Sequence, residues 1–311
     1  MSKQRTLPWR AAGWWLALGL LSACQSSHKG QSDWASTQGR NTPVAFERFL
    51  RYNPDSEWAP QARQRRDELL LAGRAAAFRE LKRVRLILNE EYTQAGSPEL
   101  HRKVLTPVIA YGAEKLLQYA GLEVVEDPEA PGDAVFEIDL GGQLSGTNYG
   151  TGHVEFYWTG AVVKGAVSLK AAGGQEIREE FSGSAGKPEP PKSLPPRLYQ
   201  TTPNLIVSQA GLAGVEEKIA LVVGKAFGAQ LLVAYLYLQE AEKFRGTNDA
   251  LARLQDPSTV EPLIEMVGEE DTGVYDDAVL ILRAMTGQQL ETDPEEWRRW
   301  WAQQGGKLGG S

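Results

Sequence analysis

The chain has 311 residues, enough for about two or three compact domains, and carries 33 Lys and Arg against 40 Asp and Glu, a net charge of −7. An acidic surface repels phosphate backbones and anionic head groups, so the composition argues against a nucleic-acid-binding protein. Because there is a single cysteine, no disulfide can form within one chain, and stability must come from packed cores.

Residues 1–23 have the pattern of a cleaved export signal. Three basic and no acidic residues lie in this segment, and its apolar run at 11–21 is shorter than the roughly 20 residues that a membrane span needs. The run ends in Leu21-Ser22-Ala23-Cys24, which resembles the lipobox of bacterial lipoproteins. An ordinary signal peptide, or a buried thiol, is the alternative interpretation of Cys24.

The lipobox resemblance implies cleavage between Ala23 and Cys24. It also implies a covalent diacylglycerol on the sulfur of Cys24 and an acyl chain, such as palmitate, on the new amino group. In such lipoproteins Gln25 after the cysteine implies the outer membrane, with the protein facing the periplasm. Residues 24–42, rich in Ser, Gln and Gly, are expected to be a flexible tether.

Residues 43–82 predict a helical hairpin. Phe46, Phe49 and Leu50 fall at helical spacing, and the sequence NPDS at 53–56 supplies a turn before a second helix from about residue 57 to 81. The stretch 46–62 resembles the helix–turn–helix junction of tetratricopeptide repeats. A plain helical hairpin explains the same pattern.

Residues 83–245 predict an α+β domain. Hydrophobic periodicity indicates a helix over 98–120 and strands at 84–91, 122–126, 134–140, 156–171 and 175–182. This order predicts a central antiparallel sheet with helices packed on one face. It is similar to the order in small lipoproteins, built of one sheet and two helices, that serve in lipopolysaccharide export.

Three segments of this domain differ in composition from the strands and the first helix. The glycine-rich segment 141–152 is expected to be a hairpin tip, and the proline-rich loop 187–204 an extended surface connection. Within the apolar stretch 210–238, residues 219–238 have about the length of a membrane span, but charged residues flank and interrupt them. The stretch is therefore predicted to be a buried helix.

Residues 246–304 predict a C-terminal α-helical module, followed by a disordered tail at 305–311. The stretch 249–264, with its Asp256-Pro257 turn, resembles a HEAT-repeat unit. The last helix carries three tryptophans at i, i+3 and i+4, on one helical face: Trp297, Trp300 and Trp301. They are predicted either to close the core of the module or to form an interface with a partner.

The sequence offers no catalytic constellation and no metal site. The three histidines are far apart, no phosphate-binding or nucleophile motif is present, and the carboxylate pair Glu90/Glu91 is predicted to be solvated. We therefore expect a protein that is not an enzyme and holds no cofactor other than the lipid on Cys24. An enzyme whose carboxylates meet only in space is the remaining catalytic alternative.

The expected function follows from the lipobox and the two resemblances to protein-binding repeats. They imply a non-catalytic, lipid-anchored periplasmic scaffold or assembly factor whose partners are envelope proteins. The alternative is a lipid- or glycan-binding lipoprotein, whose sheet domain holds the ligand against Tyr149, Tyr157 and Trp158 beside the glycine-rich segment.

Overall fold

The computed structural model describes residues 31–94, 97–100, 103–127, 129–149, 155–186, 203–238, 246–269 and 272–308. Ala23 and Cys24 of the lipobox lie outside these residues, as do residues 24–30 of the expected tether and most of the proline-rich loop. The chain divides into two compact units, Met1–Arg66 and Asp67–Ser311.

In the first unit, helical residues 31–40 (α1) precede α2 (Pro43–Tyr52) and the start of α3 (Ala59–Ala72). The Trp34 ring lies 5.3 Å from that of Phe49 and stacks on Trp58 at 6.3 Å. The tether prediction is therefore wrong for residues 31–40, because one large aromatic side chain gives this polar segment a face to bury.

The hairpin prediction agrees with α2 and α3, although α3 is shorter than predicted. Thr42 caps α2 by accepting a hydrogen bond from the Ala45 amide at 3.1 Å, with Pro43 in the first helical position. The second helix ends at Ala72 instead of near residue 81. A short 3₁₀ turn, Ala76–Phe78, then leads to the first strand.

The second unit is built on one six-stranded sheet. Its strands are β1 (Arg83–Gln94), β2 (Ser97–Leu100), β3 (Glu123–Val125), β4 (Ala134–Tyr149), β5 (Glu155–Ala171) and β6 (Glu176–Gly186). Their order is β2-β1-β4-β5-β6, and β3 pairs with β1 along the edge that β2 also uses.

The sheet is mixed, so the prediction of an antiparallel sheet is wrong for part of it. Strand β1 runs parallel to both β3 and β4, whereas the β4–β5 and β5–β6 pairs are antiparallel. The cause is the helix α4 (Thr106–Tyr119), which crosses over between β1 and β4 and returns the chain in the same direction.

Two boundaries also differ from the prediction. Residues 97–100 pair with β1 instead of starting the helix, so α4 begins only at Thr106. Residues 141–149 continue β4, with Gly142 opposite Val163. A Cβ on Gly142 would lie 2.2 Å from the Val162 carbonyl oxygen, so the glycine permits close strand pairing rather than a turn.

Helices α4 and α5 (Pro203–Phe227) cover the buried face of the sheet. Six side chains of β1, β4 and β5 supply much of this face: Val84, Leu86, Phe136, Ile138, Val167 and Leu169. Gly211 of α5 lies so close to Val163 that a Cβ there would be 2.7 Å from its Cγ1. The opposite face carries mostly polar side chains.

The apolar stretch 210–238 is buried, as predicted, but it is two helices. Gly228, with φ +95°, separates α5 from α6 (Ala229–Tyr235). This conformation is open to glycine and strained for other residues. No helix in the described part of the chain has both the length and the apolar character to cross a membrane.

The C-terminal helices are α7 (Thr247–Leu254), α8 (Val260–Val267), α9 (Thr272–Thr286) and α10 (Pro294–Gln303). Asp256 accepts a hydrogen bond from the Ser258 amide, and Asp293 one from the Glu295 amide, both at 2.9 Å. Each aspartate stands directly before a proline and caps the helical segment that follows. Helix α9 packs on α7 and α8, α10 packs on α8, and α7 packs on α5.

Candidate functional site

The three C-terminal tryptophans divide into a core residue and a half-buried pair. Trp297 is 0% exposed, and its indole nitrogen donates to the Glu291 carbonyl at 2.9 Å. The interface prediction is therefore wrong for Trp297. Trp300 meets Trp297 edge-on at 6.1 Å, and Trp301 stacks on Trp300 at 6.0 Å, with both rings only partly covered.

The other predicted aromatic residues lie on the β4–β5 hairpin. Tyr149 pairs with Glu155, Tyr157 with Thr147 and Trp158 with Gly146, beyond a register shift at Ser145. Only the backbone of these residues is described, so the ligand site assigned to Tyr149, Tyr157 and Trp158 stays a prediction.

The polar face of the sheet contains a shallow depression of ≈ 780 Å³. Gly141 and Ala166 are the small residues that leave this space between longer neighbours. The polar side chains around it are Asn89, Glu91, Lys103, Asp139, Lys164, Arg178 and Glu180. Asn89 is held in place because its amide donates to Asp139 at 2.7 Å and to Glu137 at 3.3 Å.

Charges of both signs surround this depression. Arg178 and Glu180 form an exposed pair at 3.5 Å. Within the described residues Lys103, Lys164 and Glu91 have no hydrogen bond or ion pair. Such a surface can bind a polar ligand that carries both donors and acceptors. No group of three or more histidine, cysteine or acidic residues in the described ranges could hold a metal ion.

Glu90 is not solvated as predicted, because it lies on the covered side of β1. Its carboxylate accepts hydrogen bonds from the amides of Val104 at 2.9 Å, Leu105 at 2.7 Å and Thr106 at 2.9 Å. These are the amides at the start of α4, which have no partner inside the helix. Glu90 therefore fixes the position of α4 on the sheet, and its charge suits the positive end of the helix.

Tyr92 lies two residues further along the same face of β1. Its side chain is 1% exposed, and its hydroxyl has no hydrogen-bond partner among the described residues. Burial, and after it the negative charge of Glu90, raises the pKa of the Tyr92 phenol far above its ordinary value. The Glu90 carboxylate already accepts hydrogen bonds from three amides. This explains why it makes no well-formed hydrogen bond with the Tyr92 hydroxyl.

Neither a protein-family model nor a curated protein matches the chain.

The sequence did contain a signal for Glu90. Period-two alternation in β1 places residue 90 on the same face as the buried Val84 and Leu86. The depression depends on pairing between distant strands, for which the sequence of each strand carries no local signal.

Proposed function

We propose that this protein is a lipid-anchored, non-catalytic periplasmic scaffold, attached to the outer membrane through Cys24 and binding an envelope protein with its C-terminal helices. The observation that carries the proposal is the stacked Trp300–Trp301 pair, which the helical core leaves partly uncovered. Tryptophan and arginine dominate the energetic centres of protein interfaces. Arg299, on the same helix, is exposed and makes no ion pair within the described residues.

Site-specific photo-crosslinking in cells tests the partner surface. A photoreactive residue in place of Trp301 should capture one discrete envelope protein. The matched control is Leu280, which is 59% exposed on α9 and should capture none. Equal crosslinking from both positions, or none from Trp301, would contradict the proposal.

Membrane attachment is tested separately. Cys24→Ala should leave an uncleaved precursor or release the protein from the outer membrane. A Cys24→Ala protein that still matures and stays with that membrane would exclude the lipid anchor without bearing on the Trp301 crosslink.

A second candidate function is binding of a glycan or a lipid head group by the sheet domain. The depression favours it, because Lys103, Lys164 and Glu91 have no hydrogen bond or ion pair with any residue that the structure describes. Native mass spectrometry of the full chain should show a co-purified glycan or lipid that is lost in Lys164→Gln and kept in Lys170→Gln. Lys170 is an exposed lysine of the same strand that does not line the depression. An empty wild-type protein would exclude this function.

A further inference from the structure

A second concavity lies at the C-terminal ends of α3 and α4. We call it the Arg74 groove; its volume is ≈ 770 Å³, and all of its lining residues belong to the second unit. One wall is apolar: Leu70, Leu71, Leu81, Tyr119 and Ala120. Leu71, which forms part of this wall, is 46% exposed, so apolar surface faces solvent here. This volume lies within the range of small-molecule sites.

Arg74 is the buried charge of this groove. Its side chain is 7% exposed, and it donates to the carbonyls of Arg79 at 3.2 Å, Leu81 at 2.7 Å and Ala120 at 2.6 Å. Its guanidinium carbon lies 5.3 Å from the centre of the Phe227 ring. All of these partners are neutral, and the Nε–H makes no hydrogen bond within the described residues.

A buried cation with only neutral partners is poorly compensated. Burial lowers the pKa of Arg74, and the exposed Glu80 opposes that shift from a distance. Glu80 makes no hydrogen bond to the guanidinium in the described part of the chain. An anion in the groove would therefore find an unused donor at its floor, the Nε–H of Arg74, which has no partner among the described residues.

The rim adds two further cations. Arg79 and Lys82 line the groove, are exposed, and have side chains without an ion pair among the described residues. Two further acids, Asp67 and Glu68, also line it, and each has an interaction of its own. Arg74, Arg79 and Lys82 lie next to the apolar wall.

We propose that the Arg74 groove binds an anionic single-chain amphiphile. Its carboxylate or phosphate would meet Arg74, Arg79 and Lys82, and its hydrocarbon chain would lie along Leu70, Leu71, Leu81 and Tyr119. The proposal is independent of the scaffold function and of the lipid on Cys24.

Titration calorimetry on the full mature chain tests the ligand class with four probes: dodecanoate, dodecyl phosphate, dodecanol and inorganic phosphate. Both anionic amphiphiles should bind at least about tenfold more tightly than dodecanol, and inorganic phosphate should bind more weakly than dodecyl phosphate. The tighter of the two anions identifies the head group as carboxylate or phosphate. Equal affinity for dodecanol, or for phosphate without a chain, would overturn the proposal.

Variants locate the site without disturbing the carbonyls that Arg74 holds. Leu71→Asp should weaken dodecanoate binding by at least about tenfold, because a charge would replace the apolar contact. Leu280→Asp, at a leucine of α9 that is also exposed, should bind as the wild type does. The double variant Arg79→Gln/Lys82→Gln should lose part of the preference over dodecanol. Unchanged binding in Leu71→Asp would place the ligand elsewhere and refute the assignment.

Discussion

Replacing Glu90 by glutamine removes one negative charge from the first turn of α4 and leaves the size of the side chain almost unchanged. The carboxylate accepts three amide hydrogen bonds of 2.7–2.9 Å. Glutamine has one acceptor oxygen, and its amino group would face the same donors. Hydrogen bonds to charged groups contribute about 1.5–3 kcal/mol each, and a charge at a helix end about 0.3–2 kcal/mol.

Because glutamine retains one of the bonds and water can reach this half-buried site, we expect Glu90→Gln to lower the free energy of unfolding by about 2–4 kcal/mol. Glu91 points to the other face of β1 and is exposed. Glu91→Gln is therefore the matched control, and it should change stability by no more than about 0.5 kcal/mol.

Urea unfolding followed by circular dichroism measures the overall loss, and hydrogen exchange of peptides covering 104–119 locates it. Exchange should accelerate at the start of α4 in Glu90→Gln and stay unchanged in Glu91→Gln. If both variants unfold at the same urea concentration, water satisfies these amides as well as the carboxylate does, and the positioning role of Glu90 is refuted.

Three further variants test other contacts. Tyr92→Phe removes a buried hydroxyl that has no partner among the described residues, so it should raise stability by about 1 kcal/mol at pH 7 in a thermal or urea melt. Above about pH 10 the stability of the wild type should drop further below that of the variant, because the phenol ionises in the unfolded chain while the buried one stays protonated. A destabilised Phe variant would show that the hydroxyl has a partner. Gly228→Ala should cost about 1–3 kcal/mol, since φ is +95° and the new Cβ would lie 3.0 Å from the Gly73 carbonyl oxygen; Gly39→Ala, with open space around the Cβ, is the control and should be neutral or slightly stabilising. Amide donors from Lys82 and Arg83, both at 2.9 Å, hold the pKa of Asp133 below its ordinary value, so its contribution is present above about pH 4 and is lost as the pH falls through the folded pKa. The difference in urea midpoint between wild type and Asp133→Asn should therefore shrink from pH 7 to pH 3, and a constant difference would contradict this account.

Features with a local cause could be predicted from the sequence. The caps at Asp256 and Asp293 need only a short polar side chain before a proline and a helix. Strands β1, β5 and β6 were predictable from alternation, and the buried α9 from residues at helical spacing, such as Ala278 and Leu282.

Features that depend on distant partners could not be predicted. The parallel pairing of β1 with β4 joins residues about 50 positions apart, and nothing in either strand specifies its direction. Trp297 and Trp301 share one helical face, yet only Trp297 is fully buried, because the position of α8 decides which ring is covered. No local pattern marks Arg74, since its acceptors come from two separate segments of the chain, 79–81 and Ala120.

Helix α5 packs both on the sheet and on the C-terminal helices. It packs on β5 and β6 along the sheet, on α4 beside it, and on α7 at the start of the C-terminal helices. A force applied to the C-terminal helices would therefore be transmitted to the sheet through the packing contacts of α5, and not only along the covalent chain between α6 and α7. Under an applied force the sheet and the C-terminal helices should therefore unfold together, in one cooperative step.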